Sequence, residues 1–354
     1  MTFTLHIDVD RWRAHQDTVL TELPGLVPVV KGGGYGFGVA RLGREAARAG
    51  AGCVAVGVPE EIVDVRTGYA GDVLVLTPWH PAWASSWTGP DGPLTDDPRV
   101  IRTVSHLEAL RALAEQATQS GSRPRVVVEV ETSMRRHGLR RDELPAAVAL
   151  LDGVTLEGIA LHLPLAGDHR GEALELARAA AAVGVPVRTL WVSHLDGAAC
   201  AELAAATGAQ VRPRIGTRLW LGDRGAYRAT GTVLDARPLA KGDRYGYRQR
   251  KASAAGTLLV VSGGTAHGVA LEAPAALSSA RQRAQVLALG GLEAVGRVLS
   301  PFTVAGRKRW FAEPPHMQVS LVLLPAGVEA PPLGAEVECE VRMTTVSFDR
   351  MVEA

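Results

Sequence analysis

The sequence predicts an α/β protein, a (β/α)8 TIM-like barrel followed by a smaller C-terminal β domain, and three observations lead there. Short apolar runs rich in β-branched residues alternate with Ala/Leu/Arg-rich stretches of helical period from residue 27 to about 220. About eight such runs can be counted, the number that closes a parallel barrel. After Gly222 the helical alternation fades, and strand-like segments separated by Gly/Pro-rich joints take over.

The barrel runs come in order. They are VPVVK ending at Lys31, CVAVG from Cys53, DVLVLTP from Asp72, RVIRTV from Arg99, RVVVEVET from Arg125, LEGIALHLP from Leu156, VRTLWVSH from Val187 and QVRPRIG from Gln210. Most are apolar along nearly their whole length, as strands covered on both faces must be. Between them RLGREAARAG, EALELARAAAAVG and DGAACAELAAATG read as crossover helices, with an open doubly wound sheet as the alternative closure. WASSWTGPDGPLTDDP is turn-rich and reads as a surface loop. In the second half GTLLVVSGG, MQVSLVLLP and EVECEVRMTTV read as strands. The expected organisation is a barrel over residues 9–222 and a β domain over 223–354, joined by an N-terminal strand over 2–8.

A chain of 354 residues exceeds what one core usually organises, although such barrels reach ~250 residues as one domain. Its 38 basic side chains nearly cancel 37 acidic ones, so no basic excess points to nucleic acid or an anionic membrane. The three cysteines, Cys53, Cys200 and Cys339, form no zinc or disulfide pattern, so no metal is expected and a reducing cytoplasm is the simplest setting. The N-terminus lacks the basic start and apolar run of a signal peptide, and no stretch of about eighteen apolar residues occurs. A soluble cytoplasmic protein is therefore expected.

Parallel barrels gather their functional groups at the C-terminal ends of the strands. Here those ends carry Lys31, Arg136 just beyond its strand, His162, His194 and Arg214. A lysine leaving a buried strand can be desolvated, which depresses its pKa and makes it a nucleophile towards an aldehyde; taken alone it reads first as the solvated residue after a strand. A lone His162 reads first as a satisfied core residue. GGGYGFG after Lys31 lets backbone come close to a ligand, but lacks the spacing of a nucleotide-binding loop.

VVKGGGYGFG resembles the lysine motif of the alanine racemases, Val-Lys-Ala-Asn-Ala-Tyr-Gly-His-Gly, and further motifs follow in the family's order. VEVETSMRRHGL looks like Lys-Val-Asp-Thr-Gly-Met-Gly-Arg-Leu-Gly, GIALHLP like the strand ending in histidine, and RIGTRLWLG like Arg-Pro-Gly-Ile-Ala-Leu-Tyr-Gly. The resemblance implies pyridoxal phosphate held as a Schiff base on Lys31, Tyr35 on its phosphate, and His162 beside its ring. It places Arg214 at the pyridine nitrogen, the backbone of Gly216 and Thr217 at the phosphate, and Arg136 at the substrate carboxylate. Glu129 stands where many members carry a carbamylated lysine and would supply the negative charge that orients Arg136. An arginine at the ring nitrogen cannot accept a proton, so the cofactor is a weaker electron sink that favours simple proton exchange.

The C-terminal half is less similar. KGDRYGY from Lys241 resembles the family's Gly-x-x-x-x-Tyr-Gly segment. In LLVVSGGTAHGV the family's second-base tyrosine corresponds to Thr265 and its aspartate to His267. An aliphatic hydroxyl is no substitute for a phenol as a base, so His267 and His316 are the candidate replacements, with Met317 also near the substrate. Around Ser193 and Gly197 the family's phosphate-binding serine is missing, leaving backbone donors and Ser193. The expected function is a racemase of a small amino acid, alanine by default, working as a homodimer whose partner completes each site around Thr265 and Met317. The alternatives are a non-catalytic pyridoxal-phosphate carrier or regulator, and a lyase or decarboxylase. Related zinc-assisted enzymes carry a His-x-Cys pair where this chain has Val337 and Cys339.

Overall fold

The computed structural model describes residues 2–89, 92–94, 97–271 and 297–354, with positions 281, 284 and 290. The chain divides into two compact units, residues 14–222 and residues 1–13 with 223–354.

The chain opens with strand β1 (Phe3–Ile7) and helix α1 (Val9–Glu22). The division falls inside α1 rather than at residue 9, because Arg11 in its first turn bonds Asp223 through Nε at 2.6 Å and Nη2 at 2.8 Å. The barrel strands then follow as β2 (Val27–Pro28), β3 (Cys53–Val56), β4 (Asp72–Val75), β5 (Val100–Val104), β6 (Arg125–Val130), β7 (Thr155–Leu161), β8 (Thr189–Val192) and β9 (Gln210–Ile215). They pair in parallel in the order β2-β9-β8-β7-β6-β5-β4-β3, and a parallel bridge between Val29 and Ala55 closes the ring. Alternate residues point inwards. Val29, Ala55, Leu74, Ile101, Val127 and Trp191 meet in the interior, where small side chains leave room for the indole. Trp191 Nε1–H finds its acceptor in the Glu157 carbonyl at 3.0 Å, and the Arg212 guanidinium lies 4.3 Å over its ring.

Crossover helices α2 (Val39–Arg48), α3 (Glu61–Arg66), α4 (Leu107–Ser120), α5 (Leu144–Val148), α6 (His169–Ala182) and α7 (Gly197–Thr207) connect the strands, and α8 (Thr217–Leu221) follows β9. The two faces of the barrel carry different chemistry. At the N-terminal face Arg125 links the starts of three strands, bonding Asp72 at 2.7 Å and Glu157 at 2.6 Å. The turn-rich segment after β4 is a 3₁₀ turn over Pro81–Ser86 and a short ladder of Thr88–Gly89 with Gly92–Pro93; positions 90–91 and 95–96 lie outside the described residues.

The other unit is antiparallel apart from one pair. Its strands are β1 with β10 (Tyr227–Leu239), β11 (Gly256–Ser262), β12 (Leu299–Val304), β13 (Arg307–Phe311), β14 (Val319–Pro325), β15 (Glu336–Cys339) and β16 (Arg350–Glu353). The order is β11-β14-β13-β12-β15-β10-β1-β16, and β10 also pairs with β11, which closes a barrel. A register shift between Val233 and Asp235 lets the long β10 serve β15 with one half and β11 with the other. Phe3, Phe302, Phe311 and Val261 are in its core. The fold is a TIM-like barrel followed by a C-terminal antiparallel β-barrel, and no described helix is long and apolar enough to cross a membrane.

Candidate active site

At the C-terminal mouth of the parallel barrel the strand ends bring several cations together. Lys31 leaves β2, and partial burial, then Arg136 and Arg214, hold its amine below the usual lysine range, with Glu61 opposing them. Arg214, at the end of β9, is only 7% exposed. Its Nη2 donates to the Leu161 carbonyl at 3.1 Å, while its buried Nε has no hydrogen-bond partner among the described residues. Burial brings its pKa down to about 10, against the pull of Glu129, so the guanidinium stays charged at neutral pH.

His162 follows β7. Burial, with Arg214 and Arg136 behind it, drives the imidazole down to about 3, so at neutral pH the ring is uncharged. His194 follows β8 in a left-handed backbone with φ 59°, and its ring meets His162 at 5.6 Å and 66°. Burial, and then His169, lower His194 too.

Tyr35 sits in the 3₁₀ turn Gly33–Gly36 with φ 53°, a left-handed conformation uncommon for a side chain of this size. Its phenol hydrogen-bonds Thr217 and is pushed up to about 12 by burial, so it remains a neutral donor. Gly216 has no side chain because there is no space for one: a Cβ there would collide with the Tyr35 hydroxyl. Trp220 Nε1–H reaches the Val29 carbonyl at 2.8 Å and ties α8 to the strand that carries Lys31.

Arg136 is exposed, on a loop after β6 that is held at both sides. Thr132 Oγ1 donates to the His162 carbonyl at 2.7 Å, and Ser133 Oγ donates to Glu172 of α6 at 2.8 Å. Glu129 departs from the sequence expectation. Its Oε2 accepts from Ser105 Oγ at 2.8 Å, and its charge acts on Arg214; no hydrogen bond to Arg136 is formed among the described residues. Ser193 also differs, because its hydroxyl accepts the Leu163 N–H at 3.0 Å and pins two strand ends together. Position 197 follows Asp196, which caps α7 by accepting from Ala199 N–H at 2.8 Å.

The remaining expected site residues lie in the β unit. Thr265 N–H donates to the His316 carbonyl at 2.9 Å and Ala266 N–H to the Met317 carbonyl at 3.0 Å, so these two loops form one surface, with Met317 70% exposed. Thr265 itself offers only an aliphatic hydroxyl, in a long 3.5 Å contact with the same His316 carbonyl. His267 does not suit the base role the sequence suggested. It is 6% exposed, its Nδ1 accepts Gly264 N–H at 3.2 Å and its Nε2 pairs with Asp349 at 3.1 Å, so both nitrogens are in use. His316 keeps one nitrogen without a hydrogen bond among the described residues: Nε2 bonds the buried Glu313 at 2.7 Å and the ring lies 4.4 Å from Tyr247. Sequence reasoning missed Glu61, Ser105 and Glu172: Glu61 accepts from backbone N–H groups, Glu172 from the Ser133 N–H and hydroxyl, and Ser105 donates to the Glu129 carboxylate. Only the position of Glu61 in the first turn after a barrel strand could have signalled it.

The N-terminal domain of alanine racemases matches residues 7–220, and the chain belongs to the alanine racemase family. It is 30% identical over 298 residues to the alanine racemase of Mycolicibacterium vanbaalenii, covering 75% of this chain and 72% of that protein. To the alanine racemase of Symbiobacterium thermophilum it is 33% identical over 200 residues, 55% of this chain and 46% of that one. The match to the Desulfovibrio desulfuricans alanine racemase spans 42% of its length at 29% identity. The chain thus spans less than half the length of these last two relatives. In fold it is similar to the Bartonella henselae alanine racemase with covalently bound pyridoxal phosphate, at a TM-score of 0.72 and 17% identity over 100% of both chains. The histidine racemase of Leuconostoc mesenteroides subsp. sake is similar at 0.67 and 16%, over 99% of this chain and 97% of that one.

Proposed function

We propose that this protein is a pyridoxal-phosphate-dependent racemase of a small amino acid, alanine by default, with Lys31 carrying the cofactor. The observation that carries the reading is the fully buried Arg214, whose Nε–H has no acceptor among the described residues, in the same mouth as the depressed Lys31 amine. An unpaired buried donor costs about 1–3 kcal/mol, and a ring nitrogen is an acceptor of the right kind to remove that cost. The residues present fit the group in a second respect. Tyr35, Thr217 and Gly216 bring a neutral phenol, a hydroxyl and bare backbone together, a set of donors suited to a phosphate.

When bound, the cofactor supplies the electron sink that makes the Cα proton of an amino acid acidic. The chain's own residues divide the remaining work. Arg136 meets the substrate carboxylate. Arg214 would hold the cofactor's ring nitrogen and, as a cation with no lone pair, would discourage its protonation. Neutral His162 adds no further positive charge. Lys31, with its lowered pKa, takes or returns the Cα proton on one face. On the other face His316, oriented by Glu313, takes the role for which Thr265 is unsuited. We infer a homodimer in which the surface around Thr265 and Met317 completes the partner's site.

Incubation with pyridoxal phosphate should give a visible absorption band that borohydride removes while adding the cofactor's mass to Lys31. Lys31→Ala should lose the band and all alanine interconversion. A Lys31→Ala protein that keeps the band rejects the assignment. A second reading, a cofactor carrier without catalysis, draws on the missing phenol at Thr265 and the locked His267. It predicts the band without exchange of the alanine Cα proton in deuterated water.

A further inference from the structure

Strand β2 delivers Lys31 beyond the end of its own ladder. Its backbone pairs with β9 at Val27 and Pro28, and with β3 through the Val29–Ala55 bridge and the Val30 N–H to Ala55 carbonyl bond at 2.8 Å. Past Val30 the two strand ends are joined by a side chain. Glu61, the first residue of α3, accepts Gly32 N–H on Oε1 at 2.6 Å and Gly57 N–H on Oε2 at 2.6 Å, with Val58 N–H at 3.3 Å. Gly32 directly follows Lys31, and Gly57 directly follows β3. The Gly57 carbonyl is itself anchored, accepting Thr77 Oγ1–H at 2.7 Å and Thr77 N–H at 2.9 Å. A Cβ at Gly57 would lie 3.0 Å from Lys31 Cβ and 3.2 Å from Glu61 Oε2, so the lysine stem passes over a position kept clear for it.

We propose that Glu61 is the positioning residue for Lys31: its carboxylate substitutes for a backbone rung between β2 and β3, fixes the point from which the lysine enters the mouth, and supplies the negative charge facing its amine. The proposal rests on the reading of Lys31 as the reactive lysine. Two backbone N–H bonds, one to each strand, give the carboxylate a geometry that a simple helix-start interaction would not need. Arg136 from the loop after β6, Arg214 from β9, and the neutral rings of His162 and His194 face the amine from the other elements. Among the described residues Glu61 is the group opposing them that acts on the amine to raise its basicity.

The test uses the whole chain without cofactor. It contains four lysines, Lys31, Lys241, Lys251 and Lys308, so reductive methylation followed residue by residue across pH gives Lys31 a titration profile with three internal references. Glu61→Gln removes the charge and opposes an N–H with an NH2 group. It should move the Lys31 midpoint to lower pH and leave the other three in place. Glu61→Asp keeps the charge on a stem one methylene shorter. It should hold the midpoint near the wild type while slowing covalent capture of pyridoxal phosphate by about tenfold, as loss of supporting contacts does at other preorganised sites. A Glu61→Gln profile for Lys31 superimposed on the wild type overturns the proposal. So does an equal shift at all four lysines, which marks loss of the fold, or an Asp variant that captures the cofactor at the wild-type rate. A clean Lys31 shift in a protein that never links the cofactor supports the role of Glu61 and rejects the cofactor reading instead.

Discussion

Each charged residue at the mouth is set by a neighbour that removes or supplies charge. Arg214 is buried and its pKa is brought down to about 10, which still leaves it charged at neutral pH; Glu129 opposes that fall and is itself held by the Ser105 hydroxyl rather than by Arg136. His162 gives way instead and stays neutral, its pKa down to about 3 from an ordinary 6.5. That difference has a consequence for stability. Below pH 6.5 the unfolded chain takes up a proton on this histidine that the folded chain refuses, so the contribution is whole above 6.5 and is lost as pH falls towards about 3. Urea unfolding of the wild type should therefore weaken between those limits, and His162→Asn should show a shallower fall. Parallel slopes for the two proteins would contradict the assignment. The placement of Lys31, Tyr35, His162 and Arg214 at the barrel mouth was legible in the sequence because each sits in a short motif at or just after a strand end. Glu61 and Ser105 were not, because their bonds go to partners 29 and 24 residues away that only the closed barrel brings close.

The elements were read with uneven success, and the reasons are physical. All eight parallel strands stand out as apolar runs because both faces are covered, yet VPVVK pairs over fewer residues than its composition suggests. Its last residues reach past the ladder, where the Glu61 carboxylate takes over, and hydrophobicity carries no record of that exchange. EVECEVRMTTV likewise pairs only over Glu336–Cys339, since strand-forming composition makes a strand only where a partner strand lies opposite. The turn from β9 into α8 is the element most dependent on one missing atom. Gly216 must stay bare for the Tyr35 hydroxyl to sit beside Thr217. Gly216→Ala should force the phenol away, lowering stability by about 1–3 kcal/mol as an overpacked site does, and should weaken retention of pyridoxal phosphate more than that of an analogue without the phosphate. Equal loss for both ligands, measured by equilibrium dialysis, would show that this turn does not hold the phosphate.

At the scale of the whole molecule, the parallel barrel holds Lys31, Arg136, Arg214 and the Tyr35–Thr217 contact, while His316, the histidine of the expected second-base region with one nitrogen unbonded among the described residues, belongs to the other unit. Exchange at Cα needs one base, whereas inversion needs one on each face. His316→Gln should thus depress alanine inversion far more than solvent exchange from the enantiomer whose proton faces Lys31. His267→Gln should act on stability instead, through its bonds to Gly264 and Asp349. The dimer proposal can be tested with the same pair of units. Lys31→Ala and His316→Gln proteins, each inactive in inversion, are unfolded together and refolded as a mixture. If each site draws Lys31 from one chain and His316 from the other, a hybrid dimer contains one doubly altered site and one intact site. Random assortment makes about half the dimers hybrid, so about a quarter of the wild-type inversion rate should return. If both residues of a site come from the same chain, every site in the mixture carries an alteration and no inversion returns. A His316→Gln protein that inverts alanine at the wild-type rate on its own would remove His316 from the reaction before the mixture is made.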